Sequence, residues 1–339
     1  MRRIIRLLIL AALLSMLGAC GKPALYTQES YVFGTRVEVG IYGEPDSKAR
    51  RVVAHVLTVF DRMHHDLHAW EPGPLSTLNE AFSHSPQSGV VDPEISAIIK
   101  DATRYSVQSD GLFNPAIGNL IRLWGFQSDQ FRARLPDPKA IAALVAANPQ
   151  MSDIVIAGNR AYSINPAVRL DLGGYAKGYA LDVAAAYLRS QGVRNALVNI
   201  GGNIMALGQH GDRPWRVGIQ HPRKPGPIAT LDLRDGEAIG TSGDYQRFFE
   251  LNGKRYCHII DPRTGWPAQG VEAVTVLIPP GNHAGTLSDV ASKPLFIAGR
   301  AGWRRAAERM GVTAAMLIDA GGQIHLTSAM QKRLNFDTH

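Results

Sequence analysis

The segment DLGGYAKGYALD, residues 171–182, sets Asp171, two adjacent glycines and Lys177 where the strand-like run VRLDL gives way to a helical pattern. A helix starting there presents unpaired backbone N–H groups and the positive end of its dipole. An anion is therefore at home beside Gly173 and Gly174, with the Lys177 ammonium one turn further on. The Gly-Gly-x-x-x-Gly spacing matches neither the dinucleotide fingerprint nor a P-loop, and a tight turn into a core helix accounts for these residues on their own. NIGGNIMALG at 199–208 repeats the paired glycines between apolar strands. Gly201 and Gly202 either admit a flat ligand or another backbone, or mark a bulge.

Two later stretches, GTSGDYQRFF (240–249) and RYCHIIDPRTGWP (255–267), interleave Thr241, Ser242, Asp244, His258, Asp261, Arg263 and Thr264 with strand formers. Turn chemistry explains Asp261-Pro262 and Thr264-Gly265, and His258 suits a satisfied core position; the same density of polar groups suits a site. HHDLH places His64 and His68 four residues apart, but His65 stands where a zinc protease helix carries glutamate. Asp289 and Ser292 share a helical face, a start for an oxygen-ligand site preferring magnesium. The bland alternative is a helix N-terminus, since Thr286 and Ser288 are also capping types.

Certain elements must hold these groups. YVFGTRVEVGIYG alternates Arg36 and Glu38 with Val37, Val39 and Ile41, the period of a half-buried strand. Helical spacing is expected over 47–66, and near 93–108, 137–146, 174–190, 284–298 and 301–310. Between them lie the β-branched runs ALVNI, IMALG, WRVGIQ, IATLDL, VTVLI and AAMLIDA, and Asn252-Gly253 in ELNGKRY predicts a two-residue hairpin. Hairpin-joined strands interrupted by helices favour an α+β fold with mixed, largely antiparallel sheets. HPRKPGP (221–227) reads as a solvated connector.

The N-terminus, MRRIIRLLILAALLSMLGAC, joins Arg2, Arg3 and Arg6 to a short apolar run and small residues before Cys20, which is the layout of a secretory signal. Leu17-Gly18-Ala19-Cys20 resembles a bacterial lipobox, so residues 1–19 are expected to be removed, Cys20 lipidated, and 20–29 to form a tether at the periplasmic face of a membrane. Of the two cysteines only Cys257 then remains, which excludes an intramolecular disulfide. The net charge of +7 includes the three signal arginines and is too mild for nucleic acid.

Taken in order, FGTRVEV, DRMHHDLHAWEPGPLSTLN, SDGLFNPAIGNLIRLWGF, DLGGYAKGYALD, LVNIGGNIMALG, TSGDYQRFFELNGKRYCHIIDPRTGWP and SDVASKPLFIAG resemble the ApbE family of FAD:protein FMN transferases. The resemblance implies helices packed on the sheets over residues 30–330, two intimately associated lobes with a cleft for FAD, and 331–339 as a tail. It implies passage of FMN to a threonine or serine of an extracytoplasmic redox protein, with release of AMP and with Mg2+ on the pyrophosphate. Alternatives are an FAD pyrophosphatase and a non-catalytic FAD-binding lipoprotein. By position, the resemblance places Phe33, Trp70, Leu112, Phe113, Asn114, Asp171, Lys177 and Ile260 at the cofactor, and Gly174, Asp289 and Ser292 at the metal. His258 is the expected base, with Asp244 or Asp261 orienting or replacing it. Lys293 departs from the pattern, standing where a metal-ligating threonine is usual; an ammonium cannot ligate magnesium but can approach a phosphate. Pro294 is expected to disfavour helical geometry at Lys293. Asn114 for an aspartate, and His68 for a small hydroxyl residue, are milder changes.

Overall fold

The period-two pattern of TRVEVGIY places Val37, Val39 and Ile41 on one face, and all three are fully buried. In the computed structural model, which describes residues 24–84, 88–128, 130 and 132–336, this strand is one of eight in a single sheet. In chain order come β1 (Leu25–Val32), β2 (Thr35–Tyr42), α1 (Asp46–Leu67), α2 (Pro74–Ser83), β3 (Gly89–Val90), α3 (Pro93–Gln108), α4 (Gly118–Leu123) and α5 (Pro138–Ala147). There follow β4 (Ile154–Ala157), β5 (Arg160–Ser163), α6 (Ala176–Ser190), β6 (Ala196–Ile200), β7 (Asn203–Leu207), β8 (Trp215–Gln220), β9 (Pro227–Leu233) and β10 (Ala238–Gly243). The last are β11 (Phe248–Leu251), β12 (Lys254–Cys257), β13 (Val271–Ile278), α7 (Ala284–Arg309), β14 (Ala314–Asp319), β15 (Ile324–Leu326), α8 (Ser328–Gln331) and β16 (Leu334–Asn335).

The main sheet runs β1-β2-β6-β7-β10-β13-β14-β15, and every neighbouring pair is antiparallel. One face packs on α1, α6 and α7 through residues such as Val39, Val56, Phe60, Leu181 and Leu295. The other face is covered by a small sheet, β16-β9-β8, whose Trp215, Val217 and Leu231 meet Ile239 and Met316. A third cluster joins α4 and α5 to the β11–β12 hairpin around Leu120, Trp124, Ile141, Phe249 and Tyr256. Asn252 and Gly253, at φ 51° and 71°, form the predicted hairpin turn.

Helices α6 and α7 cross at two glycines, Gly178 and Gly285. A Cβ on either would run into the carbonyl oxygen of the other, so only glycine permits this approach. Asp182 of α6 then caps the start of α7: its carboxylate accepts the Gly285 and Thr286 amides at 2.8 Å and the Thr286 hydroxyl at 2.6 Å.

Several expectations change. Residues 25–29, expected in a tether, are the first part of β1. Residues 331–336, expected in a tail, are tied down: Leu334 and Asn335 pair with Leu231 and Thr230, and Arg333 grips Glu237 at 2.7 and 2.8 Å. The two helices read at 284–298 and 301–310 are both present, meeting within the span labelled α7 at a kink on Gly299, whose φ of 64° is not helical. Pro294 therefore does not take Lys293 out of the helix. Its ring removes one hydrogen bond donor, and the sharp break falls five residues later. The signal segment and Cys20 lie outside the described residues. No helix among the described residues is long and apolar enough to cross a membrane.

Candidate active site

The turn between VRLDL and α6 is built by Asp171. Its Oδ1 accepts the Gly173 amide at 2.9 Å and its Oδ2 the Trp70 indole N–H at 3.0 Å. This holds Gly173 and Gly174 at the wall of a cleft of about 680 Å3. The cleft lies between the ends of β6, β7 and β10 on one side and the α4 cluster, through Ile117, Ile121 and Phe126, on the other. Lys177, in the first turn of α6, reaches back to the Gly173 carbonyl at 3.2 Å and sits 3.8 Å from Asp289 Oδ1.

Asp289 is the buried centre of the arrangement, 1% exposed. Its Oδ2 accepts the Gly178 amide at 3.0 Å, a contact that exists because the helices cross at glycine. The Lys293 ammonium, one turn on along α7, donates to both Asp289 Oδ1 and the Asp289 carbonyl, the latter at 2.7 Å. Ser292 donates to the same carbonyl at 2.8 Å and shares a 2.7 Å hydrogen bond with Ser242 of β10. Burial alone would raise the Asp289 pKa, but the Lys177 and Lys293 charges and the Gly178 amide override it and hold the carboxyl well below the usual range. Burial pushes Lys293 down to about 8 against the pull of Asp289.

These residues do not fit a divalent ion. Magnesium demands about six oxygens at roughly 2.0–2.1 Å, whereas the two Asp289 oxygens facing the cleft already bind an ammonium, and a second ammonium stands 3.8 Å away. Ser292 spends its hydroxyl on a backbone carbonyl and on Ser242. Gly174, expected to offer its carbonyl, has a different evident role: a Cβ there would lie 3.1 Å from Lys293 Cε, so its bare Cα makes room for the lysine stem. Among the described residues no group of three or more His, Cys, Asp or Glu could hold a metal, the HHDLH segment included. His64 and His68 meet edge to face at 5.2 Å, and His68 Nδ1 accepts the Glu71 amide at 2.9 Å.

His258 lines the cleft, and its Nδ1 lies 3.2 Å from the Arg247 carbonyl. A carbonyl only accepts, so Nδ1 carries the proton and Nε2 is the ring's acceptor. Burial, then the Arg247 and Lys177 charges, lower its pKa to about 3, so the ring is neutral at any physiological pH. Neither aspartate expected to serve it does so. Asp244 is clamped by both terminal nitrogens of Arg223 at 2.7 Å, with Arg255 at 3.6 Å. Asp261 is clamped by Arg263 at 2.9 and 2.7 Å and organises its own turn by accepting the Arg263 amide. Both are acceptors saturated by guanidinium, and the Arg247 carbonyl does the orienting instead.

Phe33, Leu112, Phe113, Asn114 and Ile260 all line the cleft. Phe33 takes a left-handed φ of 56° in the β1–β2 turn. Asn114 uses its amide to tie loops together, donating to the Pro149 carbonyl at 2.8 Å and accepting the Ala116 amide at 3.0 Å. An aspartate could not make the first bond without a proton. Trp70 stands back from the cleft, linked to it through Asp171, with the Arg169 guanidinium 4.8 Å over its ring. The sequence reading missed Thr35, Asn199, Tyr245 and Gln246, which line the cleft as well. Tyr245 and Gln246 stand in the polar segment GTSGDYQRFF, where the carboxylate drew the attention.

A model of the ApbE family matches residues 33–318. The chain is 44% identical to an FAD:protein FMN transferase of Rhodobacter capsulatus over 90% of its own length, and spans 57% of that protein. It is 33% identical to an FAD:protein FMN transferase of Treponema pallidum, covering 84% of this chain and 83% of that one. The crystal structure of the ApbE protein from Thermotoga maritima superposes with a TM-score of 0.81 at 29% identity, over 93% of this chain and all of the other. With its antiparallel α+β architecture and a cleft closed by the Gly173–Lys177 turn, this chain belongs to the ApbE family.

Proposed function

We propose that the chain transfers the FMN moiety of FAD to a threonine or serine hydroxyl of an acceptor protein and releases AMP. The observation that carries the reading is the convergence, in one cleft, of two ammonium groups and a neutral histidine with Nε2 as its acceptor. The FAD diphosphate carries two negative charges that repel an approaching hydroxyl oxygen, so positioning and charge compensation are most of what catalysis requires. Lys177 and Lys293 supply that compensation. His258 Nε2 accepts the hydroxyl proton as the oxygen bonds to the FMN phosphorus. The bond from that phosphorus to the bridging oxygen breaks, and AMP departs with the bridging oxygen. A positioned base contributes about 10²–10⁴ in rate; at a pKa of about 3 the ring of the FAD-free chain is a weak one, and the diphosphate's negative charge offsets the Lys177 and Lys293 charges that help to depress it.

Residues lining the cleft suit the rest of FAD. Phe33, Phe113 and Ile260 offer apolar area for a ring system, and Gly202, where an added Cβ would meet nothing within 4 Å, leaves the wall open for an acceptor segment. The acceptor in this reading is a redox protein flavinylated outside the cytoplasm, with the transferase held at the membrane by lipid on Cys20. Replacing Cys20 by serine should release the protein from the membrane fraction. Incubating the purified chain with FAD and a threonine-containing acceptor tests the reaction itself. Covalently fluorescent acceptor and AMP in equal amounts support it; AMP without labelling points to a pyrophosphatase, and neither product refutes both.

A further inference from the structure

We propose that the Lys293 ammonium, backed by Lys177, stands in the place of a divalent cation, so that this chain grips the FAD diphosphate and transfers FMN without metal. The inference deepens the flavin transferase reading and rests on it. Its ground is where the ammonium sits. Lys293 Nζ bonds the Asp289 carboxylate and the Asp289 backbone carbonyl together, which are the two oxygens a cation at this wall would bind. Three further features are built around it. Gly174 lacks the Cβ that would press on the lysine stem at 3.1 Å. The Gly178 amide anchors the other carboxylate oxygen at 3.0 Å, so Asp289 is aimed at Lys293 from two helices. The Ser292 hydroxyl faces the Asp289 carbonyl and Ser242, away from any ligand role.

Charge makes the same point. Two ammoniums carry the two positive charges of a magnesium ion, and both belong to side chains lining the cleft. A divalent ion added beside Asp289 would have to expel an ammonium from its hydrogen bonds and then share the site with it. An ammonium differs from the ion it replaces in one chemical respect: its N–H donors are directional and covalently part of the chain, so no chelator can remove them.

The test titrates the full-length chain with FAD, following flavin fluorescence, in excess EDTA and in magnesium chloride, with ADP as a second probe that carries a diphosphate but no flavin. The expected result is the same Kd for FAD in both media. Lys293→Met should weaken FAD by about 10–100-fold in both, the loss of a charge-assisted contact. Lys293→Thr should weaken it in EDTA and recover in magnesium. FAD binding that requires magnesium in the wild type, or Lys293→Met with an unchanged Kd, overturns the inference and leaves the transferase reading standing. ADP binding in EDTA without FAD binding keeps the ammonium site and sinks the flavin reading, and binding of neither probe in EDTA overturns the inference. Should circular dichroism reveal either variant unfolded, the wild-type comparison of the two media decides alone.

Discussion

Replacing Gly178 by alanine perturbs the site at its least forgiving point. The new methyl group would stand 2.7 Å from Asp289 Cβ and 2.8 Å from Thr286 Cα, besides striking the Gly285 carbonyl. None of these atoms is the end of a flexible side chain, so α6 and α7 must move apart. Overpacking of this kind costs about 1–3 kcal/mol. Separation also stretches the Gly178 amide from a buried carboxylate, a bond worth about 1.5–3 kcal/mol. Alanine returns about 1 kcal/mol through its better helix propensity. The balance is a loss of about 1.5–5 kcal/mol, the sum of those three effects. Urea unfolding should register it as a lower midpoint at unchanged slope, and an FAD titration should show weakened binding, because Asp289 would no longer hold Lys293 in register. A variant as stable as the wild type, or more so, would mean that propensity outweighs the crossing and that the glycines are not what brings the two helices together.

Three other outcomes follow from the geometry. His258→Gln should lower turnover about 10²–10⁴-fold with little change in FAD affinity, and the wild-type kcat/KM should show no inflection near pH 6.5, since the ring of the FAD-free chain titrates at about 3. The unfolded ring, titrating near 6.5, binds the proton first, so the contribution of His258 to stability is complete above about pH 6.5 and declines toward pH 3 by up to ~1.4 kcal/mol per unit; urea midpoints that do not fall between about pH 7 and 5 would contradict this burial. Asp244→Asn should leave turnover within a few-fold while lowering stability by about 1 kcal/mol, a partly exposed ion pair's worth; a loss of turnover as large as that of His258→Gln would restore Asp244 to the chemistry. Trp70→Phe deletes the indole bond to Asp171 and should weaken FAD several-fold with the fold intact by circular dichroism, whereas unchanged affinity would show that Gly173 and Asp171 hold the turn alone.

What sequence reasoning reached depended on range. Strands with clean alternation, such as β6 and β8, lie where the pattern places them, because burial on one or both faces leaves its mark within a few residues. α2 and α4 escaped notice, being short and drawing their stability from packing rather than from a long periodic face. At the site, the residue types in DLGGYAKGYALD and HIIDPRTG announced polar work, but which carboxylates were already bound did not show. The partner of Asp244 is Arg223, twenty-one residues away in a loop that reads as a plain connector. Lys293 reads in the sequence as a lost ligand, whereas in the fold it is the hydrogen-bond donor that Asp289 accepts. That distinction rests on Gly174 and Gly178, more than a hundred residues earlier, and only the folded chain brings them together.

The strand Leu334–Asn335 completes a sheet whose other members end a hundred residues before it. Until that final piece arrives, the cluster of Trp215, Leu231 and Met316 lacks Met330 and Leu334 at its edge, so this layer is completed late. A carboxy-terminal affinity tag fused directly after it would compete with that closure, and purification handles belong at the end of a spacer.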